Sequence, residues 1–185
     1  MVGILRRWRC LLGGVGAACV LVSASAHASG SWQFGDLRNP LGDTATAVFS
    51  PASGGEGAAL YIACDGDRWR RVVLGPDDSG TFKLDRRGEV RVSLAGEPAL
   101  AGHWKVGRTA GGRVTYDAPQ ATDLARRLVR AGDPKSPAVY TIAVTTAAGE
   151  RVKLKFPLAG LAATVRAHLW KPCKLETYFA EPGNR

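Results

Sequence analysis

Cysteine and histidine are scarce in this sequence, at four and three of 185 residues. Four cysteines are too few for a disulfide-dense miniprotein. There is no Gly-X-Y period to suggest a fibre, and an apolar content of 45% is too high for a disordered chain. Gly-x-Ser-x-Gly, Ser-x-x-Lys, His-Glu-x-x-His and Gly-x-x-x-x-Gly-Lys are all missing. The usual frames of hydrolases, zinc peptidases and phosphate-cradling loops are therefore absent. Acidic residues are the minority charge, 16 against 25 Lys+Arg, for a formal charge of +9. The length suits one ordinary domain and is short for two.

What is there begins with a leader. Arg6, Arg7 and Arg9 precede an apolar stretch from Cys10 to about Val22, and small residues follow up to Ala26-His27-Ala28. This is the pattern of a secretory signal peptide cut after Ala28. The stretch is shorter than the roughly 20 residues that span a bilayer. No later run is apolar enough, so no transmembrane segment is expected in the mature chain. Lipidation at Cys19 would want a Leu-like residue three positions earlier, where Gly16 stands. The expected divisions are a signal peptide over 1–28, an N-terminal arm and first strand over 29–57, and the remainder of a single β-rich domain over 58–185. The expected destination is the periplasm or the exterior.

Cys10 and Cys19 leave with the leader, and Cys64 and Cys173 remain as an even pair in an oxidising compartment. A disulfide is the default. It would close a loop on the order of 100 residues, for which the chain-entropy model gives about 4.7 kcal/mol. Two separate buried thiols are one alternative. A metal site completed by His168 is another, but no Cys-x-x-Cys or His-x-x-x-His spacing supports it.

Between the arm and the C-terminus, short runs of β-branched and aromatic residues alternate with turn signals, the pattern of an antiparallel sheet protein. Strands are predicted near 44–50, 58–64, 69–74, 80–85, 89–94, 102–106, 112–116, 138–146 and 150–156. Phe82 and Leu84, then Val90, Val92 and Leu94 after Asp85-Arg86-Arg87-Gly88, read as a hairpin with one wet face. Val152, Leu154 and Phe156 alternate with Arg151, Lys153 and Lys155, the clearest inside-outside pattern in the chain. Residues 119–132 read as a helix with Leu124, Ala125, Leu128 and Val129 on one stripe, Asp123 four before Arg127, and Gly132 as the stop. A second helix is predicted from Leu158 to Trp170, opened by Pro157 and closed by Pro172. The expected fold class is mainly β, an antiparallel β-sandwich or curled sheet with two packed helices. Trp32 and Phe34 should pin the arm.

Chemistry has few candidates. His103 and His168 are the only imidazoles after the leader, and neither has a base, nucleophile or ligand partner at a recognised spacing. Asp65-Gly66-Asp67 and Asp77-Asp78 are paired acids in turns; a calcium loop at the first lacks its later ligands. No catalytic residue, metal or cofactor is assigned. The basic residues are the candidate site for an anion or partner: Arg68, Arg70 and Arg71 around Trp69, Lys83 with Arg91, and Arg151, Lys153 and Lys155. Guanidinium forks match anionic oxygens, and an indole offers a flat stacking face. Interspersed acids leave a plain solvated sheet face as the alternative.

The order of Leu60-Tyr61-Ile62-Ala63-Cys64, Arg113-Val114-Thr115-Tyr116-Asp117, helix 124–128, strand 138–146, Val152-Lys153-Leu154-Lys155-Phe156-Pro157-Leu158-Ala159-Gly160-Leu161 and a final Cys173 resembles small secreted proteins of the VasI type. Those proteins accompany type VI secretion systems. The last third is similar to the invasion-associated locus B family. The likeness covers most of residues 58 to 173. It implies a periplasmic, non-enzymatic β-rich domain with no catalytic residue. The function expected is thus a non-catalytic periplasmic interaction module, an accessory of a secretion or envelope system. Its partner would be a protein or an anionic envelope component, not nucleic acid. Two other readings remain open: a small secreted hydrolase built around His103 or His168, and an inhibitor of an acidic enzyme.

Overall fold

The computed structural model describes residues 32–35, 45–65, 69–94, 97–109, 111–132 and 138–175. The leader, Arg68 and the 181–185 tail lie outside them, as do the side chains of Trp69 and Arg70. In chain order the elements are β1 (Gln33–Gly35), β2 (Ala45–Pro51), β3 (Ala58–Asp65), β4 (Trp69–Pro76), β5 (Glu89–Leu94), β6 (Leu100–His103), β7 (Lys105–Arg108), β8 (Val114–Asp117), α1 (Ala121–Ala131), β9 (Val139–Thr145), β10 (Arg151–Pro157) and α2 (Leu161–His168). They form a six-stranded sheet in the order β1-β2-β3-β4-β8-β7 and a four-stranded sheet in the order β10-β9-β5-β6. Every pairing is antiparallel. The fold is the expected mainly β architecture with two packed helices.

Period-2 alternation builds one core between the sheets and helices. Leu60, Ile62 and Cys64 of β3 and Val72 and Leu74 of β4 face Val90, Ile142, Val144, Leu154 and Phe156 of the other sheet. Ala125 and Leu128 of α1 and Leu161 and Val165 of α2 close it. Each fully buried aliphatic or aromatic side chain contributes roughly 1.5–3 kcal/mol. The six-stranded sheet is also buried on its other face, where Ala59, Tyr61 and Val73 cluster with Phe49. That is why β3 reads as a continuous apolar run, whereas β10 alternates.

Cys64 in β3 and Cys173 in the turn after α2 form the expected disulfide, with Cα atoms 5.8 Å apart and a sequence separation of 109. Both are buried, so the bond clasps the end of α2 to the six-stranded sheet. The arm is pinned as its aromatics suggest. The Trp32 indole donates to the Pro157 carbonyl at 2.9 Å, and Phe34 stacks on His168 with ring centroids 4.3 Å apart.

Four expectations are corrected. Residues 81–94 are no hairpin: Leu84 bridges Thr146 and Val90 pairs with Val144. Both segments therefore run antiparallel to the β9 side, in line with each other, and Asp85 to Gly88 bulges out between them. The bulge is held by the Arg87 amide on Asp85 at 2.9 Å, the Tyr116 hydroxyl on the same carboxylate, and the Trp104 amide on the Gly88 carbonyl at 2.8 Å. Gly88 has φ +73, and a Cβ there would lie 2.3 Å from the Trp104 carbonyl oxygen. Next, the strand predicted at 102–106 is two strands: the chain leaves the four-stranded sheet at buried Trp104 and enters the other. Third, α2 starts after Gly160, at φ +81, because Pro157 still pairs with Val139 in β10. Last, Asp123 pairs with Arg126 at 3.6 Å, and Arg127 reaches Glu97 at 2.6 Å instead. Gly132 does end α1, where a Cβ would lie 2.7 Å from the Leu158 carbonyl oxygen.

Candidate functional site

Cross-strand register decides which cations meet. With Val90, Ile142, Val144, Leu154 and Phe156 inward, the odd positions of β5, β9 and β10 point to solvent. Arg91 pairs with Ala143, and Ala143 with Lys153, so two cations flank one small side chain. Thr145 pairs with Arg151, and Ser93 and Lys155 flank Thr141 in the same way. Adjacent strands lie about 4.8 Å apart, which places the Arg91 and Lys153 backbones about 10 Å from each other. Arg91, Arg151, Lys153 and Lys155 are all exposed. None of them is in an ion pair among the described residues. Glu89, opposite His103, is the one carboxylate these strands place on the face. A groove of about 240 Å³ lies between Glu89, Arg91, Ala101, Ala143, Thr145 and Arg151.

Beneath the lysines the backbone is fixed. The Ser53 amide and hydroxyl both donate to the Lys155 carbonyl, at 2.8 and 3.1 Å, and Trp32 holds the carbonyl of Pro157. The free edge of β10 is thus partly capped, which limits pairing with another strand there.

The other sequence candidates fall elsewhere. Arg71 is on the six-stranded sheet, half-buried, with Nη2 2.7 Å from both carboxylate oxygens of Asp117. Its charge is neutralised within the fold. Lys83 is exposed but separated from Arg91 by the bulge, and it lines a second groove with Arg86, Arg108 and Arg113. Sequence reading passed over those three arginines. The available signal was Arg108 and Arg113 bracketing the turn that ends in Gly111-Gly112.

Groups able to do acid–base work are engaged or isolated. His103 is exposed on β6, and His168 stacks on Phe34. Among the described residues neither imidazole is hydrogen-bonded to a hydroxyl or a carboxylate, and no three His, Cys, Asp or Glu side chains gather as metal ligands. Burial pushes the phenols of Tyr61, Tyr116 and Tyr140 well above their ordinary range. Partial burial pushes the Asp85 carboxyl up, but the Tyr116 hydroxyl, the Arg87 and Gly88 amides and the Arg87 charge together hold it below its ordinary value. Among the described residues no helix is long and apolar enough to cross a membrane.

Comparison with family models, curated protein sequences and solved structures finds no match to this chain. The site's own chemistry carries the functional argument.

Proposed function

We propose that the chain is a non-catalytic periplasmic interaction module that docks an anionic partner on the outer face of its four-stranded sheet, as an accessory of a secretion or cell-envelope system. The observation that carries this reading is the grouping of Arg91, Arg151, Lys153 and Lys155 around small residues, none of them ion-paired among the described residues. Cations that are exposed and unneutralised set up a local positive field that speeds encounter with acidic surfaces. The leader pattern read from the sequence supports an exported protein, and the resemblance of residues 58 to 173 to VasI-type proteins, also read from the sequence, supports the same compartment.

The test is a pull-down from envelope extract at low and high salt, with the wild type and with Lys153→Glu/Lys155→Glu. Partners held by the face are retained at low salt and released as the screening length falls from about 10 Å at 0.1 M to about 3 Å at 1 M. The reversed protein should lose them at both. An unchanged partner set would reduce the face to a solvated surface.

A further inference from the structure

At one end of the sandwich the two sheets part around a groove of about 300 Å³. Its walls are Lys83 just before the bulge, Arg86 within it, and Arg108 and Arg113 from either side of the β7–β8 turn. Phe82, Leu84 and Val114 contribute its apolar lining. Among the described residues no acidic side chain lines it. Of the carboxylates in this region, Asp85 accepts from the Tyr116 hydroxyl and the Arg87 amide and Asp77 from the Ser79 amide at 2.8 Å, while Asp78, whose charge reaches the Tyr61 phenol together with those of Asp77 and Arg113, does not line the groove.

One of the arginines is held by a hydrogen bond and another packs against the backbone. Arg108 Nη1 donates to the Gly112 carbonyl at 2.9 Å, and that turn is closed by Thr109 bonding the Arg113 amide through its hydroxyl at 3.1 Å. The Arg113 guanidinium lies directly on Gly80, where a Cβ would fall 2.1 Å from Nη1. Guanidinium groups fixed before a ligand arrives lose less side-chain freedom when it binds.

We infer that this groove is a second anion site, distinct from the sheet face, that takes a compact cluster of phosphate groups. Planar guanidinium forks pair bidentately with phosphate oxygens, and Lys83 adds a mobile point charge. The volume is at the lower limit of small-molecule pockets, about 300 Å³. That suits a short polyphosphate or a phosphorylated headgroup and is too small to enclose a polymer. The shared chemistry is clustered phosphate; the source is a soluble anion or a lipid.

The experiment titrates the purified protein with tripolyphosphate and, separately, with phosphatidylcholine vesicles with and without phosphatidic acid. Binding is read by calorimetry and by the amide resonances of Gly80 and Gly112, which report the groove alone. Tripolyphosphate should shift both resonances. Lys83→Gln/Arg113→Gln should weaken it about tenfold or more, since two charge-assisted hydrogen bonds are removed. Lys153→Glu/Lys155→Glu should leave those shifts in place. Lys83→Gln alone, at an exposed position, gives an intermediate loss and guards against misfolding of the double variant. Binding to phosphatidic acid vesicles that the groove variant loses names the lipid as source; tripolyphosphate binding without it names a soluble anion. Equal weakening by the groove and face variants, or no shift at Gly80 and Gly112, overturns the proposal.

Discussion

The two sheets share one core and differ on their far sides. Beyond the core, the six-stranded sheet carries Ala47, Ala59, Tyr61, Ala63 and Val73, all buried. The four-stranded sheet carries Arg91, Arg151, Lys153 and Lys155, all exposed, around Thr141, Ala143 and Thr145. The same pleat therefore serves two ends: in one sheet both faces hold the fold together, and in the other one face is left to solvent. A charge without a partner should be ruinous among these buried residues, beside which Arg71 and Asp117 sit as a pair, and harmless on the second far side.

The largest effect is expected at Ala59, fully buried between Pro51 and Gly75 in the register. Ala59→Glu forces a carboxylate into a fully buried position clustered with Tyr61, Val73 and Phe49, and should destabilise by about 3 kcal/mol or more. Chemical denaturation checks this. A midpoint near that of the wild type would mean that the far side is wetter than its burial indicates.

Next comes the clasp that only the six-stranded sheet receives. Cys64→Ala/Cys173→Ala frees the end of α2 and enlarges the unfolded ensemble, at an expected cost of about 2–4 kcal/mol. The chain-entropy value of about 4.7 kcal/mol for a loop on the order of 100 residues is the upper figure. Thermal melting of the double variant measures the difference, and the untreated wild type should show no thiol that alkylates at Cys64 or Cys173.

A smaller contrast uses one atom from each sheet. Tyr116 of β8 gives its hydroxyl to Asp85, whereas the buried Tyr140 hydroxyl of β9 has no partner among the described residues. Tyr116→Phe should cost about 1.5 kcal/mol, the lower end for a hydrogen bond to a charged group, while Tyr140→Phe should cost nothing. The pH dependence follows in sign. The folded Asp85 carboxyl titrates below its ordinary value of 3.8, so its contribution is complete above that value and is lost as the pH falls through the folded one. Tyr116→Phe should therefore lose less stability than the wild type on acidification below about pH 4. Equal losses from the two Phe variants would remove the distinction.

How much of this the sequence discloses depends on how local the deciding interaction is. The β9–β10 pair is legible because Val152, Leu154 and Phe156 alternate strictly with three cations, which also assigns Arg151, Lys153 and Lys155 to solvent. Helix α1 is legible from its stripe and from Gly132. Asp85-Arg86-Arg87-Gly88 is misleading, since the same residues suit a hairpin turn and a bulge. The choice rests on Thr146 and Trp104, distant in sequence. That misreading attached Lys83 to Arg91 and hid the groove, whose four cations come from segments that meet only where the two sheets part. The switch of sheets at Trp104 is equally silent, because a β-prone run does not say which sheet it joins.

The smallest stability effect and the sharpest comparison come from repeating the first substitution on the other sheet. Ala143 lies between Arg91 and Lys153 on the far side of the four-stranded sheet. In Ala143→Glu the new carboxylate is solvated and flanked by opposite charges, and cross-strand pairs of opposite charge contribute roughly 0.2–1 kcal/mol. Its propensity cost in a strand is of similar size and opposite sign. The melting temperature should then stay within about 2 °C of the wild type, since 1 kcal/mol moves a domain of this size by about 2–4 °C. Binding should behave otherwise. The glutamate is an internal anion that partly neutralises Arg91 and Lys153 without removing either, so association at low salt should slow while dissociation changes little, the signature of lost steering. At high salt the variant and the wild type should converge, because screening removes the field that the glutamate cancels. Stopped-flow association with the partner recovered by pull-down measures this. A variant that melts early would extend the intolerance of the six-stranded sheet to the four-stranded one, and one that binds at the wild-type rate would mean that these cations meet no partner.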